Sequence, residues 1–474
     1  MNDPNDTVGL ARRDWLKTAC LGGAAGFLAS YPAVAETTAV PAKKVRGVVF
    51  MVSDGMSPGV LTLAEAYSKL TRKRGTCWWQ LINERSSSRG LMDTASANSM
   101  VTDSAAAASA WGGGQRIHNG AINTDPTGKA ITPIAALLKQ SGSARIGLVT
   151  TATVTHATPA GFAASVPSRG SEDAIATQYL NRVDVILGGG SAFFDPKIRS
   201  DHKDLSGDFE KAGYQILRQR DELTASASEK LLGTFTRGHL PFSIDRDRNP
   251  KLAARVPTLT EMAQAALSRF LTGDQPFLLQ VEGARIDHAA HLNDIGGLLG
   301  EQLAFDDALA AVLEIAAGRD DILVIATSDH GNANPGLNGM GAGYSESTQH
   351  FERIARFNAS HERIFAEWNK LKKRDTEELS ALITNHLQLS LKPREIEALY
   401  EILNERKVVE WNHQLVKPEG LLGQFIGNHT GIGWTGTTHT TDPTLITATG
   451  PQSARFAGMV KNSDVFGHLM EMLG

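Results

Sequence analysis

The stretch Phe277-Leu-Leu-Gln-Val-Glu-Gly-Ala-Arg-Ile-Asp-His-Ala-Ala-His291 begins in one periodicity and ends in another. Phe277 to Val281 is short and mostly apolar, as a buried strand is. Downstream, Asp287 and His291 stand four apart and so share one face of a helix. The same strand character recurs at Val45 to Val52, Ile146 to Thr150, Val183 to Leu187, Ile322 to Ala326 and Thr444 to Ala448. Helical stretches lie between these runs, among them Ile134 to Gln140, Leu259 to Leu271 and Gly297 to Ala317. Such alternation predicts an α/β fold, with a mostly parallel central sheet and helices on both faces.

Two regions interrupt the pattern. Thr71 to Ser88, which contains Cys77-Trp78-Trp79, is basic and aromatic and predicts a loop and short helix near a rim. Asn332 to Gly433 opens with a Gly/Asn-rich loop and continues as charged, helical sequence from Ser347 to about Val416. It predicts a helical insertion (about 333–430) crossing the C-terminal edge of the sheet. It leaves and rejoins the chain beside candidate ligands, so an active-site entrance is one role for it. An outward-facing subdomain or dimer contact is the other.

Acidic and histidine residues follow the predicted strands directly. Asp54 comes after the first, Glu282 after Phe277 to Val281, and Asp329-His330 after Ile322 to Ala326. Ligand crevices of open α/β sheets lie beyond the carboxyl ends of the strands, so these groups are expected to converge. Each alone would pass for a turn residue. Asp287 and His291 can hold one metal between them, while His288, one residue on from Asp287, points elsewhere. His439 lies in Gly436-Thr-Thr-His-Thr, just before the predicted final strand. Mixed imidazole and carboxylate donors suit Zn²⁺, and all-oxygen sets suit Mg²⁺.

Val101-Thr-Asp-Ser-Ala-Ala-Ala-Ala-Ser-Ala-Trp111 places Ser104 at the start of an Ala-rich helix. There the helix dipole and free N–H groups favour an anion, which makes Ser104 a candidate nucleophile. An ordinary N-cap at Asp103 or Ser104 would read the same.

A net charge of −4 gives no basic footprint for nucleic acid. After the N-terminus there is no apolar run long enough to span a membrane. Arg12-Arg13-Asp14-Trp15-Leu16-Lys17, the apolar Thr18 to Leu28 and Ala33-Val34-Ala35 together resemble a twin-arginine signal, with residues 1–35 removed after export. That predicts a periplasmic or secreted protein carried by the twin-arginine machinery. Loss of Cys20 with the signal would leave Cys77 alone, with no intrachain disulfide.

Seven ordered motifs carry a family resemblance. They are Asp54-Gly-Met, Thr102-Asp-Ser104-Ala-Ala, His156-Ala-Thr158-Pro, Ser168-Arg169, Glu282-Gly-x-x-x-Asp287-x-x-x-His291, Ser328-Asp329-His330 and Gly436-x-x-His439-Thr. Together with Leu240-Pro-Phe and Pro257-Thr-Leu-Thr-Glu-Met, they make residues 36–474 similar to alkaline phosphatases. The resemblance implies hydrolysis of phosphate monoesters through a phosphorylated Ser104, with two Zn²⁺ and one Mg²⁺. It implies Asp287, His291 and His439 for the first Zn²⁺, and Asp54, Asp329 and His330 for the second. Asp54, Thr158 and Glu282 would hold Mg²⁺, and Arg169 would grip two phosphate oxygens. His429 competes with His439 for the last ligand position. His156 and His288 stand where some members carry Asp and Lys, so they, with Asp103, would tune the Mg²⁺ side.

Related phosphodiesterases, sulfatases and cofactor-independent mutases share the sheet and metals. Arg169 and the complete third-metal set favour the monoesterase. A non-catalytic metal-binding protein would have no need of Ser104 and Arg169. A homodimer is compatible with the sequence.

Overall fold

The computed structural model describes residues 44–406 and 416–474. The signal segment lies outside them. Gly47–Ser53 (β1) is buried along its whole length, and alternate side chains face two different cores. Val49 and Met51 join one apolar cluster; Val48, Phe50 and Val52 join the other. A strand apolar on both faces belongs in the middle of a covered sheet, and that is where β1 lies.

In chain order the remaining strands of this sheet are Ser88–Asp93 (β2), Arg145–Thr153 (β3), Val185–Gly189 (β4), Gln215–Leu217 (β5), Leu231–Thr234 (β6), Phe277–Gly283 (β7), Ile322–Thr327 (β8), Thr444–Thr449 (β9) and Gly458–Lys461 (β10). Their spatial order is β10-β2-β9-β8-β1-β7-β3-β4-β6-β5. Every neighbouring pair is parallel except those made by β9, which runs against both β8 and β2. The predicted parallel α/β sheet is therefore present, with one reversed strand.

Three expectations need correction. Thr444–Thr449 is not the final strand, because β10 follows it at the edge. The long helix begins at Ile295, where Asp294 caps Gly297 N, and not at Gly297. The predicted loop and short helix are present and Trp79 is exposed, but Trp78 itself is no rim residue. Helix Cys77–Asn83 buries Trp78 at 1% exposure, and its indole N–H donates to Thr447 Oγ1 on β9 at 3.1 Å.

One sheet face is covered by Pro58–Arg72 (α1), Leu259–Leu271 (α4) and Ile295–Ala316 (α6). Helix Ser104–Gly113 (α2) and helix Ala157–Ala163 (α3) cover part of the other. A Cβ on Gly112 would strike Gly161 O, and one on Gly161 would strike Ala108. The Ala/Gly composition of this pair thus lets the helix bearing Ser104 lie directly against the helix bearing Thr158.

The insertion adds Phe351, Ile354, Ile364, Trp368 and Ile426 to the cluster that holds Val49 and Leu303. Two buried carboxylates anchor it: Asp245 accepts from Ser360 N at 3.0 Å, and Asp294 accepts from His361 N at 2.7 Å. The described residues form one compact unit. Among the described residues, no helix is long and apolar enough to cross a membrane.

Candidate active site

Four adjacent strands, in the order β8-β1-β7-β3, deliver the candidate groups to one edge. Asp54 follows β1, Asp329-His330 follow β8, and Glu282 closes β7. His156 and Thr158 come just after β3. Helix Arg285–His291 (α5) carries Asp287 and His291. His439 arrives on a short antiparallel ribbon, His439–Thr440 against Gly331–Asn332. Gly55, at φ 68°, lets these groups close up, since a Cβ there would sit 2.5 Å from Asp287 Oδ1.

Three clusters result, each with donor atoms within 4.8 Å of one another: Asp287/His291/His439, Asp54/Asp329/His330 and Asp54/His156/Glu282. Asp54 belongs to two of them. In the first, His291 Nδ1 lies 2.7 Å from Thr437 O and His439 Nδ1 lies 2.8 Å from Thr102 O. Both Nδ1 atoms must therefore carry the proton, which turns both Nε2 lone pairs inward, 3.1 Å apart. Two facing lone pairs beside the Asp287 carboxylate, 3.4 and 3.6 Å away, require a proton or a cation between them.

The other clusters are likewise short of positive charge. Both Asp54 oxygens, Asp329 Oδ2, Glu282 Oε1, Thr158 Oγ1 and His156 Nδ1 are buried without a hydrogen-bond partner. Burial, reinforced by the charges of Asp329, Asp287 and Glu282, pushes the Asp54 carboxyl well above its usual range. Burial likewise pushes Glu282 up to about 7 and Asp329 up to about 6. Asp287 moves the other way. Burial alone would raise it, but the charge and hydrogen bond of His291, aided by His439 and His330, hold it well below the carboxylate range. Natural interiors rarely leave so many polar atoms unpaired, so the donor set fits resident divalent cations.

Ser104 Oγ lies 3.1 Å from His330 Nε2, which itself faces Asp329 Oδ2 at 3.2 Å and Asp54 Oδ1 at 3.6 Å. The capping question has a definite answer here. Asp103 is the N-cap and accepts from Ala106 N at 2.9 Å, so the Ser104 hydroxyl is left free of the backbone. Asp103 Oδ2 also takes Gly120 N at 2.9 Å and Arg169 Nη1 at 3.1 Å. The other Arg169 arm, Nη2, meets His156 Nε2 at 3.1 Å.

His429 stays out of these clusters and pairs with Glu395 at 3.2 Å. Sequence reasoning missed four nearby groups. Asn332 Nδ2 donates to Asp287 Oδ1 at 2.7 Å. Arg285 spans from His288 Nδ1, at 2.8 Å, to Glu362 of the insertion, at 2.7 Å. His239 completes an imidazole group, its ring centroid 4.6 Å from His288 and 5.8 Å from His156. Arg285 sits inside the opening stretch, and His239 immediately precedes Leu240-Pro-Phe, so adjacency to a motif was the available signal.

The family model described as alkaline phosphatase matches residues 45–474. Alkaline phosphatase 3 of Bacillus subtilis is 30% identical over 454 residues, covering 93% of this chain and 92% of that protein. The crystal structure of Thermus thermophilus alkaline phosphatase superposes with a TM-score of 0.84 at 34% identity, covering 91% of each chain. The cold-active alkaline phosphatase of a psychrophilic Shewanella gives a TM-score of 0.75 at 28% identity, covering 90% of this chain and 100% of that one. With residues 45–474 matched from end to end, the chain belongs to the alkaline phosphatase family of metal-dependent phosphoric monoester hydrolases.

Proposed function

We propose that this phosphomonoesterase works through a phosphoserine intermediate on Ser104. The observation that carries the reading is the Ser104 hydroxyl, uncapped at a helix N-terminus and 3.1 Å from a histidine of a carboxylate-rich cluster. Asp287, His291 and His439 would hold one Zn²⁺ and Asp54, Asp329 and His330 the other, while Asp54, Thr158 and Glu282 would take Mg²⁺. Bound there, the cations supply the positive charge that favours a serine alkoxide and offsets charge on the entering and leaving oxygens.

Ser104 Oγ attacks phosphorus, the ester P–O bond breaks, and the leaving oxygen departs as the alcohol. Water then breaks the Ser104–phosphate bond and releases inorganic phosphate. The N–H groups opening α2 and the Arg169 guanidinium face the spread charge of the transferring group. Asp103 and His156 hold the two arms of Arg169, which fixes its fork before substrate arrives. The twin-arginine-type N-terminus supports a periplasmic or secreted location for this chemistry.

Arg169→Ala should lower kcat/KM for a monoester by about 10²-fold, the scale of losing an oriented charged donor to a transition-state anion. A diester carries one fewer charged oxygen and should lose far less. Equal losses in a paired kcat/KM measurement would remove Arg169 from this role.

His156 stands in one cluster with Asp54 and Glu282, and with Arg169 donating to its Nε2 the proton of the neutral ring sits on Nδ1. A neutral imidazole in that position leaves the cluster one charged oxygen short of what Mg²⁺ prefers. His156→Asp, which restores an oxygen donor and a negative charge, should reduce the Mg²⁺ needed for half-maximal activity by about tenfold, one charged ligand contact. A Mg²⁺ titration of both proteins is the check; identical midpoints would make His156 a packing residue.

A further inference from the structure

The carboxyl edge of the sheet carries a second concavity, beyond β3. Ser191 follows β4, Arg218 and Gln219 follow β5, and Thr236 and Arg237 follow β6. With Arg255 they line a cavity of about 370 Å³ that has no carboxylate in its wall. Three successive parallel strands thus end in two guanidinium groups and two hydroxyls, at the edge where such sheets bind ligands, and Arg255 adds a third guanidinium from the end of helix Pro250–Arg255.

The three arginines are not equivalent. Arg218 is half-buried and fixed, with one arm on Thr234 Oγ1 and the other 3.0 Å from Ser206 Oγ. Burial depresses its pKa despite the nearby charges of Glu222, Asp195 and Glu210. Arg237 and Arg255 are exposed, and neither has an ion-pair partner among the described residues. Backbone bonds from Gly190 N to Gly238 O (2.9 Å) and from Ser191 N to Thr236 O (2.9 Å) clamp the loop that bears Arg237. Two residues further along, His239 accepts from Thr153 N at 3.1 Å and stands beside His156. One short, pinned loop therefore joins this basic cavity to the third-metal corner of the catalytic site.

We propose that this cavity is a second phosphate-binding site. Its ligand is either a further phosphate on the substrate being hydrolysed or free inorganic phosphate, both met by the same guanidinium forks and hydroxyls. The substrate form rests on Ser104 as the reacting centre. It would give the enzyme a preference for multiply phosphorylated esters whose two phosphates span the distance between the sites.

The test compares alkanediol bisphosphates of increasing chain length with the matching alkyl monophosphates. The protein and its Arg237→Gln/Arg255→Gln variant are assayed in parallel; both side chains are exposed, so the variant should fold normally. In the unmodified enzyme one chain length should raise kcat/KM at least about tenfold over the monophosphate, the scale of a charge-assisted hydrogen bond. The variant should lose that advantage while keeping monophosphate turnover. Calorimetric titration with inorganic phosphate should find one more equivalent bound in the unmodified protein than in the variant. A change in titration without a length-dependent advantage would identify free phosphate as the ligand. Absence of both effects, or an advantage that survives in the variant, would overturn the proposal. Failure of the Ser104 reading would appear separately, as loss of labelled phosphoserine with monophosphates alone.

Discussion

Ser104→Ala is expected to eliminate covalently trapped phosphate and to lower kcat on the order of 10³-fold or more, as nucleophile removal leaves only charge stabilisation and binding. Metal content should stay nearly unchanged, because the carboxylates and imidazoles of the three clusters are all retained. The fold should survive as well. Asp103, not Ser104, caps α2, and alanine is well suited to a first helical turn whose next four residues are already alanine. Residual turnover reports water attacking the ester directly, held by the same Arg169 and helix N-terminus. The decisive measurement is acid-quenched labelling with a phosphate-labelled monoester, followed by mapping of the labelled peptide. Label on any residue other than Ser104 in the unmodified protein would end the assignment.

Local sequence carried the central strands and the site because both are written in short stretches. Val45 to Val52 and Ile322 to Ala326 are apolar on both faces, which only a covered parallel strand demands. Asp54 and Asp329 stand immediately after them. The edges were less legible for the same physical reason. Gln215–Leu217 is three residues long, and Gly458–Lys461 exposes all but Val460, so neither shows a continuous apolar run. Trp78 looked like a rim residue because Arg72, Lys73 and Arg74 surround it with charge. Its indole N–H donates to Thr447, 369 positions away, a contact that no local pattern encodes. The contacts that tune the site, Arg285 to Glu362 and His239 to His288, likewise join separate segments through side chains with no fixed spacing.

Removing the metals should reverse the pH dependence of stability, besides abolishing turnover. In the metal-free protein, burial and mutual repulsion keep Asp54 protonated well above the usual carboxylate range, and burial raises Glu282 to about 7. For His291, burial lowers proton affinity, but the Asp287 charge and hydrogen bond outweigh it and raise the imidazole to about 9. Groups raised in the folded state bind more protons than they do in the unfolded chain, so their contribution falls as pH rises toward the folded value. His156, His288 and His330 oppose this trend. Burial holds all three well below 6.5, and they add stability as pH climbs to that value. Above about pH 7 their contribution is complete, and the raised groups act alone. Melting temperature of the chelated protein should therefore fall between pH 7 and 9. With Zn²⁺ and Mg²⁺ supplied, binding releases those same protons, so affinity and melting temperature should hold or rise over the same interval. Asp54→Asn deletes a raised carboxyl shared by two clusters and should flatten the downward slope of the chelated protein. Parallel slopes with and without metal would mean that cation binding does not relieve the charge stored at the ends of β1, β7 and β8.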